Sequence, residues 1–199
     1  MWFIEHLCLE CPNFTKPKTV RRYATTEHYD NQMKGNHIIK SISSDIDISG
    51  QPEKIWDNIT NVKIEQFSDP LIFKLLDIPK PLRAEIVSEG EGGSRIAYFD
   101  TGKRFMQKIL VWKPLKEYAF SFNPEKGFRV CYLFELSEGV FRIPSGAYFL
   151  TANSYITNLK LVTTYSIDKR LYFLFNLPVR LILKIFQRYL LTSIKKNSE

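Results

Sequence analysis

From Ile38 to Ser49 apolar and polar positions alternate, with Ile42, Ser44, Ile46 and Ile48 on one side and Ser43, Asp45, Asp47 and Ser49 on the other. That period of two predicts a strand with one wet face. The pattern then changes. Gly50-Gln51-Pro52-Glu53 turns into a short helix with Pro52 near its first position and Ile55, Trp56 and Ile59 as its apolar side. A second brief helix starts at Asp69-Pro70, with Leu71, Leu75 and Phe67 expected to pack inward.

Residues 79–114 read as a three-stranded meander. Arg83 to Glu89 is a β-leaning run, and Gly90, Gly92 and Gly93 offer the positive-φ freedom of a tight reversal. Arg95 to Phe99 is the middle strand. Asp100-Thr101-Gly102-Lys103 turns into a long strand, Phe105 to Trp112, which Pro114 ends by removing a donor. On this strand Phe105, Gln107, Ile109 and Val111 form an uncharged, inner-facing set, opposite Arg104, Met106, Lys108, Leu110 and Trp112.

Two further alternations follow. Glu117 to Asn123 places Tyr118, Phe120 and Phe122 on one face, and Phe128 to Leu136 does the same with every second residue. A loop at 137–145 precedes a last hairpin, Gly146–Tyr155 and Leu159–Ile167, turning at Ile156-Thr157-Asn158. Seven or eight antiparallel strands result, each with one side wet. Such a sheet needs a cover, and Val179, Ile182, Leu183, Phe186, Tyr189, Leu190 and Ile194 recur at three and four to supply an amphipathic helix. From Pro178 to Lys196 it spans about 28 Å, enough to cross the concave side. Pro178 either occupies its first turn after Asn176 or kinks a helix that begins nearer Leu171.

The spacing of Ile78-Pro79-Lys80-Pro81-Leu82, Glu89 to Arg95, Phe99, Gly102, Phe105 and Trp112 resembles the START-like, polyketide-cyclase and lipid-transport superfamily (SRPBCC) over roughly residues 40–196. The resemblance implies an α+β helix-grip fold, a curved antiparallel sheet wrapped around a long C-terminal helix. It also implies that the Pro52–Ile59 phrase follows the first strand, and that the two short helices support the main one. The resemblance also implies that relatives tend to carry Glu where Gln107 stands; Gln107 departs from that pattern and cannot ionise, so an acid–base role of such a Glu does not carry over to this position. The domain is expected over 38–199, after an N-terminal extension over 1–37.

Composition narrows the function. Aromatic residues reach 14 %, including 15 Phe and 10 Tyr, enough to fill a core or line a cavity. The expected activity is non-enzymatic binding of a hydrophobic small molecule or lipid at Arg95, Phe99, Phe105, Gln107, Ile109, Tyr118, Tyr165 and Phe186. Arg95 either neutralises an acidic ligand head or pairs with a carboxylate near the hairpin. The second reading is favoured, because long charged side chains near turns reach for water. Tyr98, Tyr118, Tyr148 and Tyr165 are able to hydrogen-bond a ligand from an apolar wall. The alternative is a cyclase- or hydratase-like enzyme using pocket tyrosines and water. No catalytic residue is assigned, since His6, His28 and His37 all precede the domain and no His-centred triad assembles inside it.

No cofactor is expected. Cys8 and Cys11 have the spacing of half a zinc site, with no second pair, so no metal is expected either. Three cysteines in a chain of this length suit a reducing, cytoplasmic setting. The start lacks the basic region and cleavage site of a signal peptide, and no uncharged run is long enough for a membrane span. Of the net charge of +7, residues 169–199 carry most: seven basic groups stand against Glu199 alone. No nucleic-acid module accompanies this charge, so nucleic acid is not expected as a partner. The charge points instead to peripheral contact with an anionic membrane through Arg180, Lys184 and Arg188, with the helix's apolar face on the sheet and the contact driven by charge.

Overall fold

The computed structural model describes residues 36–199 apart from 133, 137, 138 and 154. The extension with His6, His28, Cys8 and Cys11 lies outside the described residues, except for its last two positions. His37, placed before the domain from sequence, opens the first strand.

Among the described residues, ten strands and three helices follow in order. They are β1 (His37–Ile48), α1 (Pro52–Thr60), α2 (Leu71–Leu75), β2 (Pro81–Ser88), β3 (Ser94–Phe99), β4 (Arg104–Lys113), β5 (Glu117–Ser121), β6 (Asn123–Pro124), β7 (Arg129–Val130), β8 (Phe134–Glu135), β9 (Phe141–Ala152), β10 (Thr157–Asp168) and α3 (Tyr172–Ser198). The main sheet is antiparallel in the order β1-β10-β9-β5-β4-β3-β2, with β6 also on β4, while β7 and β8 form a separate small hairpin. The long first strand therefore pairs with the last one, His37 opposite Asp168 and Ile48 opposite Thr157, and closes the sheet's far edge.

α3 covers the inner face. It starts near Leu171, with Pro178 inside it, which selects the second of the two starts that the sequence left open. Its buried side divides the interior into two apolar clusters. Val179, Leu183 and Tyr189 join the larger one, with Phe73, Phe99, Phe105, Phe128 and Phe141. Leu191 and Ile194 join a smaller one around α1, with Ile55, Ile59, Ile109, Tyr118 and Tyr148. Among the apolar residues sits one polar anchor, which the apolar spacing did not single out. The amide of Gln187 donates to Thr163 Oγ1 (2.8 Å), to Ile42 O (3.1 Å) and to Leu161 O (3.4 Å), and its oxygen accepts from Ser44 Oγ (2.8 Å).

Five expectations are corrected. In α2, Leu71 and Leu75 are exposed, whereas Phe73 is buried with Ile72 and Leu76 beside it, because the helix is a single turn whose phase Pro70 sets at its start. Phe128–Leu136 is not one strand: Cys131 and Tyr132 take left-handed φ values of 53° and 61°, folding the run back on itself so that Arg129 pairs with Glu135. The loop after it is shorter than expected, since β9 already begins at Phe141, and the last turn comes earlier, with Thr157 in β10. Finally, a bulge between Ile109 and Val111 reverses the parity of β4's end, so that Trp112 lies opposite Tyr118 and packs inward on Trp56 at 5.3 Å. Val111 moves to the other face opposite Ala119.

Candidate functional site

Four phenylalanines cluster where the sheet curves, Phe99 and Phe105 on β3 and β4, Phe122 between β5 and β6, and Phe128 just before β7. Phe105 lies 4.7 Å from Phe99, 4.3 Å from Phe128 and 5.8 Å from Phe122, ring centre to ring centre, mostly edge to face. Opposite them, the first half of α3 presents Phe175, Val179, Ile182, Leu183 and Phe186. The β7–β8 hairpin leans over one side, with Phe134 edge-on to Phe175 at 5.1 Å. Between these walls is a cavity of about 330 Å³. Large rings at fixed angles cannot fill a curved space completely, and Gly146 on the floor leaves more room: a Cβ there would come within 3.0 Å of the Phe120 ring.

The cavity wall is apolar, and no Asp, Glu, Lys, Arg or His is among the described residues that line it. Its polar side chains are Thr163, Tyr148 and Cys131, and the Thr163 hydroxyl already accepts from Gln187. Burial pushes the Tyr148 phenol up to about 12, with the nearby Arg95 pulling the other way. Burial, aided by the charge of Asp77, also raises the Cys131 thiol. Both groups stay protonated near neutrality, so the wall offers at most hydrogen bonds and no anionic base. Among the described residues, no cluster of three or more His, Cys, Asp or Glu could hold a metal ion.

Of the residues expected at the site, Phe99, Phe105 and Phe186 line the cavity, whereas Arg95, Gln107, Ile109, Tyr118 and Tyr165 do not. Ile109 and Tyr118 belong to the α1 cluster. The Tyr118 hydroxyl is buried with no hydrogen-bond partner among the described residues, and burial raises its pKa. Tyr165 donates to Asn176 Oδ1 at 3.0 Å, and Tyr98 lies under the Arg83 guanidinium. Parity alone missed Phe120, Phe122, Phe128 and Gly146 as wall residues, although the alternation had put Phe120, Phe122 and Phe128 on inner faces.

Arg95 is the largest departure. It is 4 % exposed, and neither reading drawn from the sequence describes it. Its Nε donates to Gln107 Oε1 at 2.8 Å, and Nη1 donates to Ile59 O at 2.7 Å and more weakly to Thr60 O at 3.4 Å. Its guanidinium carbon lies 4.7 Å from the centre of the Phe120 ring and 5.3 Å from that of Tyr118. No carboxylate among the described residues pairs with it. What offsets the buried charge is the C-terminal end of α1, whose last carbonyls lack partners inside the helix and carry its negative partial charge, together with two π faces. Gln107 is thus the neutral partner of a structural cation, and it points away from the cavity.

A second, more open depression of about 500 Å³ lies beside the C-terminal half of α3, lined by Gln66, Ser68, Arg188, Thr192 and Lys196 among others.

With this geometry in view, the chain is similar in fold to solved structures of low sequence identity. Truncated norcoclaurine synthase from Thalictrum flavum superposes with a TM-score of 0.51 at 14 % identity, covering 81 % of this chain and 94 % of that one. Ara h 8.0201 superposes with a TM-score of 0.50 at 16 % identity, covering 80 % and 97 %. This is a helix-grip fold, an antiparallel sheet closed around a long C-terminal helix. At such identities the likeness concerns the fold alone. No protein-family model matches the chain, and no curated protein does. In helix-grip terms, the cavity lies where the sheet grips the N-terminal half of α3, and Arg95 belongs to the clamp at the other end.

Proposed function

We propose that this protein binds a hydrophobic small molecule or the apolar part of a lipid in the cavity, without chemistry. The observation that carries the reading is a cavity of about 330 Å³ whose wall has aromatic and aliphatic side chains from both layers and no ionisable group charged at neutrality. That volume falls at the lower end of small-molecule sites. An enzyme of cyclase or hydratase type would need an acid or base tuned near the working pH within reach of the substrate. Tyr148 and Cys131 are both shifted the other way, and Arg95 does not line the cavity, its Nε and Nη1 donating to Gln107 and Ile59 instead.

Native mass spectrometry of the purified chain should reveal a co-purifying apolar ligand. Titration with a long-chain alcohol and the matching carboxylate should favour the alcohol, because nothing in the wall neutralises an anion. Leu183→Trp, which fills the cavity from α3, should abolish uptake. Failure of every apolar probe to bind, or equal uptake by the Trp variant, would refute the reading.

An accompanying proposal is cytoplasmic residence with peripheral contact to anionic membranes through Arg180, Lys184 and Arg188. All three are exposed on α3, and the Lys184 ammonium also bonds Ser43 O and Ser44 Oγ. Among the described residues, no helix is long and apolar enough to cross a membrane.

A further inference from the structure

The outward side of the first half of α3 is not the polar face that its inward packing leads one to expect. Phe173 is 93 % exposed, and Leu174, Leu177 and Leu181 are each more than half exposed. At 100° per residue these four fall within about a third of the helix circumference. Lys184 falls in the same sector and Arg180 at its border, Arg170 sits in the turn just before the helix, and all three are exposed. No acidic residue occurs between Asp168 and Glu199. Meanwhile the same turns already supply Phe175, Val179, Ile182 and Leu183 to the cavity wall, so the helix has apolar side chains on two opposite faces.

We infer that this face is a membrane-docking surface that inserts Phe173, Leu174, Leu177 and Leu181 into the headgroup boundary of an anionic bilayer. The inference rests on the proposed peripheral contact and changes its mode from charge alone to charge plus insertion. A contiguous row of large exposed apolar side chains on a monomer marks a surface meant to be covered. Interleaved cations choose the cover. A second copy meeting this face across a two-fold axis would bring Arg170 and Arg180 of both chains together, like against like. Residues 1–35 hold five basic and four acidic groups, and so bring no net negative charge to match the face. A bilayer with anionic lipid satisfies both halves of the pattern, an apolar layer beneath a negative surface, which is the arrangement read by helices that lie in the interface plane.

The test uses the full chain with vesicles of phosphatidylcholine alone and with about a quarter phosphatidylglycerol, sedimented at low salt and at about 0.5 M salt, where charge-driven attraction is screened. Wild-type protein should bind the anionic vesicles at low salt and keep a measurable fraction at high salt. Phe173→Ser/Leu177→Ser alters two exposed positions and should melt as the wild type does. It should partition on the order of tenfold or more weakly and lose its salt-resistant fraction, since burying even one such side chain is worth about that factor. Arg180→Gln should weaken only the low-salt binding. Phe173→Trp should show a blue-shifted emission with anionic vesicles. Binding that vanishes at high salt, or a double variant that binds like wild type, would overturn insertion while leaving the charge-driven contact standing. No binding at low salt would remove both. A dimer in solution that the double variant splits, without vesicle binding, would assign the face to a second copy and likewise overturn the inference.

Discussion

Replacing Arg95 by Met tests whether a buried cation holds α1 to the sheet. Methionine keeps most of the stem's volume but supplies no donor. The change leaves Gln107 Oε1 and Ile59 O, which accept at 2.8 and 2.7 Å, without partners in a region where Arg95 itself is 4 % exposed. Hydrogen bonds to a charged group contribute about 1.5–3 kcal/mol each, and each abandoned buried acceptor costs a similar amount. Against that stands relief of the desolvation of the guanidinium, which can reach several kcal/mol. The backbone carbonyl of Ile59 decides the sign. It cannot be mutated away, so the usual gain on replacing a buried ion by apolar side chains is incomplete. A net destabilisation of about 3 kcal/mol is expected for Arg95→Met, or roughly 6–12 °C in Tm for a chain of this size. The double variant Arg95→Met/Gln107→Leu should recover about 1 kcal/mol, because it removes the side-chain half of the unmet demand. Urea unfolding with unchanged m-values measures both. If Arg95→Met costs less than about 0.5 kcal/mol, or if Gln107→Leu restores nothing, the guanidinium is not the tie described here.

Two further outcomes follow from particular atoms. The Glu117 carboxyl is raised by burial above its ordinary 4.5, and its Oε1 has no hydrogen-bond partner among the described residues, while its bond to Lys113 reaches an exposed ammonium. The folded state therefore holds this proton more tightly than the unfolded one. Its favourable contribution is complete below the unfolded pKa and is lost as pH rises through the folded one. Relative to wild type, Glu117→Gln should accordingly gain in Tm as pH rises from about 4 to about 8, and a constant difference across that range would refute the assignment. Gly146→Ala puts a methyl 3.0 Å from the Phe120 ring and 3.2 Å from Phe122. It should force those rings into the cavity and weaken apolar probe binding, with a stability cost of about 1–3 kcal/mol from overpacking. Unchanged probe affinity would show that the floor does not limit the cavity.

Period-two alternation found the strands of the sheet, and period 3.6 found its cover, because each pattern follows directly from which side is dry. What alternation cannot report is position along the strand. Gln107, Ile109 and Tyr118 face inward as their parity demands, yet they lie toward α1, whereas Phe99 and Phe105 lie at the cavity. The inner face has two ends, and parity is the same at both. Local backbone events were equally invisible. Nothing in Leu110 announces a bulge, and Cys131-Tyr132 carries no glycine or asparagine to advertise left-handed φ. Arg95 was misjudged because the rule that long cations reach for water assumes no better acceptor, and the carbonyls at the end of α1 come from a helix remote in sequence.

The bonds of Gln187 bear on how such a protein changes over generations. Four contacts, to Ser44, Thr163, Ile42 and Leu161, set both the rotation and the axial position of α3 on the sheet. Apart from Thr163 and Leu161, they use groups that do not line the cavity. Phe105, Val179, Ile182 and Phe186 are thereby released from the duty of aligning the helix. They can be exchanged for larger or smaller apolar side chains, reshaping the space for a different guest while the alignment of the scaffold is inherited unchanged.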